Sequence, residues 1–348
     1  MTEVTFINKG GRLTIECKDG ESLLQAGLRQ GAPLPYACGA GVCATCVARA
    51  KPGTTANLWP EAPAAGELKV DKGEVLLCQT SAAKDCEILV SSKIDLSNLS
   101  LLRPKRFKAK LVDIFNETSD VATFRVQLPE NVSPIAGQYF LLRSPGMQGF
   151  RAYSMTNYES STDALDFVIK KVPGGIFSSH IFSEPSDDMD VEAFGPMGFA
   201  TFGPSEARDL VCLVGGSGIA GIMSVLNQAK VVNHFKNHKL FMVFGARQTE
   251  DLFFLPQLAS LRASAPDNIG IHIALSDQID GHELPDAIND LPVHQGFVHD
   301  VAQTVGGDEF INGRLAFIGG PPPMLNSCIA LLLGSGLPVS DIRYDRFA

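Results

Sequence analysis

The sequence predicts a multidomain protein of mixed α+β and α/β class, with three domains that follow one another along the chain. The 348 residues are too many for one domain of ordinary size. Short apolar runs separated by turn residues between 107 and 202 indicate an antiparallel β-barrel, and apolar strands that alternate with helical segments after 209 indicate a doubly wound parallel sheet. We expect domains at 1–95, 106–203 and 204–348, with a linker at 96–105.

Composition and charge exclude several classes of protein. Hydrophobic residues make up 45% of the chain and charged residues 19%, so disorder is not expected as the main state. The net charge of -9 argues against nucleic acid as a partner. No apolar run reaches the roughly 18 to 20 residues of a membrane helix, and no signal-peptide pattern opens the chain. We therefore expect a cytoplasmic protein without a membrane partner.

The first domain is predicted to be a small α+β unit. Alternating apolar residues flank Lys9-Gly10-Gly11, which is typical of a hairpin. Residues 22–29 favour a short helix with Ser22 as its cap. A Gly- and Cys-rich loop follows at 37–46, and two further strands are expected at 74–78 and 87–90.

The other two domains differ in the pattern of their elements. The linker ends in Arg103-Pro104, which disfavours regular structure. Strands of the barrel are predicted at 108–115, 123–128, 139–143 and 165–172. The last domain is predicted to have strands at 210–214, 240–244, 271–275 and 315–318 and helices at 219–230, 256–261 and 324–333.

Four of the eight cysteines indicate a metal centre. Cys38, Cys43 and Cys46 have the spacing CxxxxCxxC, and Cys78 follows beside a predicted strand. This is the plant-type spacing of a 2Fe-2S cluster, and Gly39 permits the close approach of backbone to sulfur. A zinc site or buried free thiols are the alternatives, although zinc sites usually pair two short CxxC elements. The remaining cysteines, expected to be small buried apolar residues, are Cys17, Cys86, Cys212 and Cys328.

Residues 151–154 (RAYS) indicate a cofactor site in the barrel. An Arg can hold a diphosphate, an aromatic ring can lie on a flavin, and a hydroxyl can reach a ring nitrogen. Gly174 and Gly175 then open a helical segment whose free N–H groups suit a second phosphate. The alternatives are an ion pair of Arg151 at a strand end and a plain turn at the glycines.

A glycine motif follows the first strand of the last domain. Gly216, Gly218 and Gly221 fit GxGxxG between a strand and a helix, which is typical of dinucleotide binding. The acidic residue of the Rossmann pattern is absent, because the next strand ends in Gly245-Ala246-Arg247. A different dinucleotide domain is therefore expected, with residues 319–324 as a second glycine-rich edge of the same crevice, or else a simple turn there.

In their fixed order these motifs resemble the NADH-dependent reductase components of bacterial multicomponent oxygenases. These proteins are a branch of the ferredoxin-NADP reductase family with a plant-type ferredoxin domain at the N-terminus. The resemblance spans the chain and is carried by the cysteine loop, residues 151–154, 174–178, 215–220 and 320–324, and the ending Tyr344-Asp345-Arg346-Phe347. It implies a β-grasp ferredoxin domain, a FAD-binding barrel and an NAD-binding domain whose C-terminal tail covers the flavin.

The resemblance also implies roles for individual residues. In that family the RxYS motif binds FAD, the terminal aromatic covers the isoalloxazine, and the glycine edges bind the dinucleotide. Ser154, Asp345 and Phe347 are accordingly expected to act at the flavin. The cofactor-binding residues expected on this basis are Arg151, Ala152, Tyr153, Ser154, Val168, Lys170, Gly174, Gly175, Ile176, Phe177, Ser178, Gly216, Ser217, Gly218, Arg247, Asp277, Gly320, Pro321, Met324 and Phe347.

Two features place the chain within the family. Residues 57–63 (NLWPEAP) and the C-terminus look most like the reductases of toluene and aromatic diiron monooxygenases, while the same architecture serves Rieske aromatic-ring dioxygenases. The family often has Cys where Gly319 stands and Pro where Gly221 stands.

The coenzyme expected is NADH rather than NADPH. Asp277 follows the predicted strand 271–275 at a position where NADPH-specific relatives have a basic residue. A carboxylate there repels a 2'-phosphate and accepts a hydrogen bond from a ribose hydroxyl, whereas Arg247 argues mildly for NADPH.

The predicted function is electron transfer from NADH through FAD and the 2Fe-2S cluster to an oxygenase or a separate ferredoxin, by a monomeric protein. FAD is the one expected cofactor that accepts two electrons and releases them singly. The alternative of another class is a redox sensor without turnover.

Overall fold

The computed structural model describes residues 1–91, 93–97, 99–183, 188–277, 287–307 and 313–347. Three main sheets follow one another along the chain, in agreement with the predicted fold class. None of the helices within the described residues combines the length and apolar character needed to span a bilayer.

The N-terminal sheet has five strands in the order β2-β1-β7-β3-β5, and β4 and β6 form a separate pair. The strands are β1 (Thr2–Asn8), β2 (Gly11–Cys17), β3 (Val47–Ala50), β4 (Thr55–Asn57), β5 (Glu74–Leu76), β6 (Thr80–Ala82) and β7 (Cys86–Leu89). Strands β1 and β2 form the predicted hairpin, and β1 runs parallel to β7. Helix α1 (Leu23–Arg29) packs against β2, and the Ser22 hydroxyl oxygen caps it by accepting the Gln25 N–H.

One predicted strand of this unit ends early. We expected a strand over 74–78, but β5 stops at Leu76 and a 3-10 turn over Leu77–Gln79 follows. The Leu77 N–H donates to the Cys46 carbonyl oxygen at 3.1 Å. This hydrogen bond joins the start of the turn to the cysteine loop, and Cys78 lies within the turn.

The second sheet is an antiparallel barrel of six strands in the order β11-β10-β13-β8-β9-β12. An isolated bridge between Met155 and Phe167 joins its two ends. Phe124, Phe140 and Phe167 fill its interior. The strands are β8 (Lys105–Asn116), β9 (Val121–Val132), β10 (Tyr139–Arg143), β11 (Arg151–Ser154), β12 (Thr162–Lys170) and β13 (Met189–Met197), with helix α2 (Ile176–Ser183) after β12.

The third sheet has the order β17-β18-β16-β15-β14-β19-β20, and every neighbouring pair except β17 and β18 is parallel. Its strands are β14 (Leu210–Gly215), β15 (Leu240–Ala246), β16 (Ile269–Leu275), β17 (Ala287–Ile288), β18 (Leu291–Gln295), β19 (Leu315–Gly319) and β20 (Ile342–Arg343). Its helices are α3 (Ile219–Val231), α4 (Leu255–Ser264), α5 (Val298–Gly306) and α6 (Pro322–Gly334). The strand order reverses between β14 and β19, which is the switch point where open α/β sheets bind ligands.

The N-terminal unit, the barrel and the third sheet contact one another. The apolar core of the N-terminal unit continues into the barrel through Tyr139, Leu141 and Met197 and into the chain end through Phe347. Helix α3 meets the barrel where the Gly137 N–H donates to the Ser224 hydroxyl at 2.8 Å. The first two regions therefore share one core, and the third sheet lies directly against the barrel.

Candidate functional site

The four predicted cysteine ligands lie together as two pairs. The Cys46 and Cys78 sulfurs are 3.3 Å apart, and the Cys38 thiol donates to the Cys43 sulfur. Two thiolates on one tetrahedral metal ion are about 3.7 Å apart when each metal–sulfur bond is about 2.3 Å long. The separation of the Cys46 and Cys78 sulfurs is close to that value, so this pair suits one tetrahedral ion.

Polar hydrogens surround these sulfurs. The Ala40 N–H donates to the Cys38 sulfur at 3.3 Å, and the Gln79 side-chain amide donates to the Cys78 sulfur at 3.6 Å. The hydrogen bond within each pair lowers the pKa of Cys43 and of Cys46 and raises that of Cys38 and of Cys78. The Ala40 and Gln79 N–H groups are donors from outside the pairs. Such donors stabilise thiolates, which are the ligand form that iron requires. The donor set fits a 2Fe-2S cluster.

The loop that carries three of these cysteines has no room for added side chains. Gly39 and Gly41 have φ of +64° and +84°. A Cβ on Gly41 would lie 3.1 Å from the Ala62 and Gln79 side chains, and one on Gly39 would lie 3.1 Å from Met197 of the barrel. The glycines therefore allow the loop to pack against β13.

A cavity of about 900 Å³ lies between the barrel and the third sheet. This volume is at the upper end of what small-molecule sites have, roughly 300 to 1,000 Å³. Gly174 and Asp277 are next to the wall residues Gly175 and Ser276 but are not part of the wall. The predicted residues that do line it are Arg151, Ala152, Tyr153, Ser154, Val168, Lys170, Gly175, Ile176, Phe177, Ser178, Gly216, Ser217, Gly218, Arg247, Gly320, Pro321, Met324, Asp345 and Phe347.

Arg151 is the cation on the barrel side of this cavity with the clearest capacity to bind an anion. Its Nη1 donates to the Phe150 carbonyl oxygen at 3.0 Å, and within the described ranges no carboxylate forms a salt bridge with it. Desolvation lowers the pKa of Arg151, which nonetheless stays charged. A partly buried guanidinium without a carboxylate partner fits a diphosphate. Lys170 differs, because it is paired with Asp120 at 3.0 Å.

The turn before α2 closes the same side of the cavity. Tyr153 packs against Phe177 with ring centroids 5.4 Å apart, and burial raises the pKa of the Tyr153 phenol. The Ser178 hydroxyl accepts the Val172 N–H at 3.1 Å, so it holds the turn. A Cβ on Gly175 would lie 2.7 Å from that hydroxyl oxygen. The N-terminus of α2 thus reaches the wall with its backbone close to the cavity.

The loops after β14 and β19 form the opposite side, at the switch point. A Cβ on Gly319 would lie 2.2 Å from the Gly218 carbonyl oxygen, and one on Gly218 would lie 2.3 Å from the Gly319 carbonyl carbon. The Met324 sulfur occupies the space that a Cβ on Gly215 would need. Position 319 therefore has no room for a side chain larger than the hydrogen of glycine. Helices α3 and α6 begin beside these loops, and the positive end of a helix dipole suits an anion, although the first two residues of α6 are prolines and have no N–H to donate.

The chain end lies between the cavity and the cysteine loop. Phe347 lines the cavity and meets Tyr139 edge to face, with ring centroids 5.0 Å apart. Tyr139 is fully buried, and its hydroxyl donates to the carbonyl oxygen of Ala37, the residue before Cys38. Two aromatic rings therefore connect the cavity wall to the cysteine loop.

Asp345 lies on the wall of this cavity. Its Oδ1 accepts the Phe199 N–H at 3.5 Å. Desolvation raises the pKa of Asp345 to about 7. Its carboxyl group is thus able to gain or lose a proton near neutral pH. Ser154 lies where β11 meets α3, since a Cβ on Gly221 would be 3.3 Å from the Ser154 hydroxyl oxygen.

The two residues expected to select the coenzyme are neighbours. The Asp277 N–H donates to the Arg247 carbonyl oxygen at 3.1 Å, and the Asp277 carboxylate accepts the Ser276 hydroxyl at 3.2 Å. The exposed Arg247 lies on the cavity wall, whereas the half-buried Asp277 is not part of the wall.

Several residues of the site have no counterpart in the predicted set. Phe297, in the loop after β18, and His299, in the first turn of α5, line the cavity, and the His299 Nδ1 is buried without a hydrogen-bond partner among the described residues. The sequence LPVHQ of β18 has weak apolar character, so neither the strand nor its loop was predicted. Tyr139 was predicted as a strand residue, and Trp59 within NLWPEAP, but neither was assigned to the site.

Comparisons with known proteins match each region of the chain. The 2Fe-2S iron-sulfur cluster binding domain family matches residues 6–83, the oxidoreductase FAD-binding domain family matches 108–202, and the oxidoreductase NAD-binding domain family matches 212–329.

Full-length relatives agree with these matches. The ferredoxin–NAD(+) reductase component of an alkene monooxygenase system from Xanthobacter autotrophicus is 30% identical over 96% of this chain and 98% of that protein. The reductase component of phenol 2-monooxygenase from a Pseudomonas species is 29% identical over 96% of this chain and 91% of its own length. The solved ferredoxin reductase of carbazole 1,9a-dioxygenase is 25% identical, with a TM-score of 0.83 over 100% of this chain and 98% of that one. The chain therefore belongs to the family of ferredoxin–NAD(P) reductases, oxidoreductases with 2Fe-2S, FAD-binding and NAD-binding domains that include the reductase components of multicomponent oxygenases.

Proposed function

We propose that this protein oxidises NADH and delivers electrons one at a time to an oxygenase. The observation that carries the proposal is the continuity of the two sites. The cavity wall residue Phe347 contacts Tyr139, and Tyr139 bonds the backbone of the cysteine loop at Ala37. A protein that binds a dinucleotide in the cavity and a metal cluster at the cysteines thereby holds them on either side of two packed rings.

FAD, when bound, would accept a hydride, which carries two electrons, and would release those electrons one at a time. A 2Fe-2S cluster would carry one electron at a time. The role of the chain itself is to hold, orient and shield these cofactors. Arg151 is proposed to hold the flavin diphosphate together with the N–H groups before α2, because it is a partly buried cation without a carboxylate partner. Tyr153 and Ser154 are proposed to place the ring.

The glycine loops are proposed to hold the nicotinamide dinucleotide. Their backbones meet at Gly218 and Gly319, and helices α3 and α6 begin beside them, so the positive ends of two helix dipoles lie beside the same crevice. Phe347 is proposed to cover the flavin until nicotinamide displaces it. Asp345 is proposed to hold a proton beside the cavity, since the pKa of its carboxyl group is near 7.

The proposed sites for the cluster, the flavin and the dinucleotide assign a function to each domain. We propose a 2Fe-2S domain at 1–95, a linker at 96–105, a FAD-binding barrel at 106–203 and an NAD-binding domain at 204–348. The Ser100 N–H donates to the Gly31 carbonyl oxygen at 2.8 Å, so part of the proposed linker is held against the first domain.

The partner is proposed to be the hydroxylase of an aromatic or alkene monooxygenase. Relatives named as reductase components of alkene and phenol monooxygenases support this choice, and each aligns over almost the whole chain. The carbazole dioxygenase reductase favours a second candidate, the reductase of a Rieske dioxygenase, which passes its electrons to that oxygenase or to a separate ferredoxin. A sensor without turnover is disfavoured, because it has no need of a dinucleotide domain. We also propose that the protein acts as a monomer.

The direct test is a titration of the purified protein with NADH, and separately with NADPH, in the absence of oxygen. Iron and flavin contents are measured first. We expect flavin and iron–sulfur absorption bands that bleach with NADH. Protein that is fully loaded with iron yet lacks the iron–sulfur bands would contradict the assignment of the four cysteines. Bands that NADH leaves unchanged would contradict the reductase function.

A further inference from the structure

Trp59, the one tryptophan of the chain, belongs to the N-terminal unit but reaches the barrel. Its loop is fixed by its own unit, because the Trp59 N–H donates to the Asn57 side-chain oxygen at 2.9 Å and the Leu58 N–H donates to the Gln79 carbonyl oxygen at 2.8 Å. The residue is therefore held at a defined position beside the turn that carries Cys78.

The indole lies on the guanidinium of Arg151. The guanidinium carbon is 4.4 Å from the centroid of the Trp59 ring, which is a cation–π contact. A Cβ on Gly149 would lie 2.3 Å from the indole, so the ring occupies space that only a glycine leaves open. The barrel is thus shaped to receive this side chain.

The arrangement places Arg151 between the indole and the cavity. Arg151 lines the cavity, whereas Trp59 does not. Besides its bond to the Phe150 carbonyl oxygen, the guanidinium has no carboxylate partner in the part of the chain that the structure describes. Among the described residues, the guanidinium is thus held by a contact with the indole plane and by a hydrogen bond to one carbonyl oxygen.

We propose that Trp59 is a positioning residue that orients Arg151 toward the cavity, so that the docked 2Fe-2S domain strengthens the binding of the FAD diphosphate. The proposal rests on the proposed function of Arg151. It also joins the two cofactor sites, because the loop of Trp59 continues to Ala64, whose N–H donates to the Gly41 carbonyl oxygen of the cysteine loop at 3.0 Å. Coupling of this kind is reciprocal.

The test measures the FAD dissociation constant of full-length protein from which FAD has been removed, by titration with FAD and detection of flavin fluorescence. The variants are Trp59→Leu, Trp59→Phe, Arg151→Ala and the double variant Trp59→Leu/Arg151→Ala. Phe115→Ala is the matched control, because Phe115 is an aromatic residue of β8 that is 64% exposed. Iron content and thermal midpoint show that each variant is folded.

We expect Trp59→Leu to weaken FAD binding roughly 3- to 30-fold, the range of a cation–π contact. Trp59→Phe should lose less, since a benzene ring retains a weaker contact, and it serves in place of the leucine variant if that variant fails to fold. In the Arg151→Ala background the effect of Trp59→Leu should shrink to less than 2-fold, because the group that Trp59 orients is gone. The control should bind FAD as the unmodified protein does.

Two different failures are distinguishable. If Arg151→Ala weakens FAD binding but both Trp59 variants bind normally, the inference is overturned and the role of Arg151 stands. If Trp59→Leu has the same effect with and without Arg151, Trp59 acts through general packing and the inference is again overturned. If Arg151→Ala binds FAD normally, the proposed role of Arg151 is wrong, and the inference fails with it.

Discussion

The cysteine loop and the cavity are built in different ways. Four side chains from two short segments make the first, and their sulfurs approach to 3.3 Å in the pair of Cys46 and Cys78. The second is enclosed by segments from the barrel, the third sheet and the chain end, and on the side of the third sheet glycine backbone forms part of its wall. A site made of side chains is lost when one donor atom is replaced. A site made of backbone is lost when an atom is added.

The largest effect is expected at the cysteine loop, for Cys43→Ser. A serine hydroxyl does not ionise at neutral pH and is a poor iron ligand, so the cluster should be lost or destabilised. Cytochrome c reduction by NADH should fall at least about 100-fold, while reduction of the bound flavin by NADH stays within about 3-fold. Rapid-mixing absorbance at the flavin band separates these two steps.

The matched control is Cys86→Ser, a buried thiol on β7 outside the four-cysteine set. It should retain iron content and cytochrome c reduction. If Cys43→Ser reduces cytochrome c as fast as the unmodified protein, the proposed electron path is wrong.

The next largest effect is expected at the cavity, where an added methyl group should weaken the binding of NADH. In Gly319→Ala the new Cβ would lie 2.2 Å from the Gly218 carbonyl oxygen, so the loops after β14 and β19 must separate. We expect the KM for NADH to rise about 10-fold or more with iron and FAD content unchanged, because about 1.4 kcal/mol of lost binding gives tenfold. Steady-state kinetics over a range of NADH concentrations measures it.

Gly203→Ala is the control for that substitution, because no atom lies within 4 Å of a Cβ built there. An unchanged KM in Gly319→Ala would mean that the contact of the two loops does not shape the nicotinamide site.

The same contrast explains what sequence reasoning predicts well. The spacing of Cys38, Cys43 and Cys46 lies within one loop, so a linear pattern contains most of that site. Gly319 shows the limit, because its contact with Gly218 joins residues from two loops that only the parallel pairing of β14 and β19 brings together.

Elements with weak patterns were missed for a related reason. Strand β18 has two half-buried residues and a histidine in the sequence LPVHQ, and its position beside β16 is set by tertiary pairing. The cavity residues Phe297 and His299 come shortly after that strand in the chain, so they were missed together with it. Trp59 was visible in NLWPEAP, but its contact with Arg151 depends on how two domains dock.

A smaller effect is expected from Asp345→Asn, as a change in pH dependence. The folded pKa of about 7 lies above the ordinary value of 3.8. Between these values the folded protein keeps a proton that the unfolded chain has released, so Asp345 lowers stability progressively as pH rises from about 4 to 7 and not further above. Asn does not titrate. The fall in Tm between pH 5 and pH 8 should therefore be smaller in Asp345→Asn.

The control for this pH effect is Asp71→Asn, at an exposed position. Its Tm should follow the unmodified protein at both pH values. Parallel Tm curves for Asp345→Asn and the unmodified protein would show that the carboxyl group titrates as an exposed one does.

The smallest effect is expected at the coenzyme pair, where the charges of the exposed Arg247 and the half-buried Asp277 act rather than backbone contacts. Removal of the carboxylate in Asp277→Asn should raise kcat/KM for NADPH relative to NADH about 2- to 5-fold, because charges that remain accessible to water contribute up to about 1 kcal/mol. Arg247→Gln should lower the same ratio, since Arg247 lies on the cavity wall and its guanidinium can pair with a 2'-phosphate. Both ratios should approach that of the unmodified protein at high salt, because screening weakens exposed charge interactions. If Arg247→Gln changes the ratio and Asp277→Asn does not, the Arg247 side chain selects the coenzyme and the Asp277 carboxylate does not.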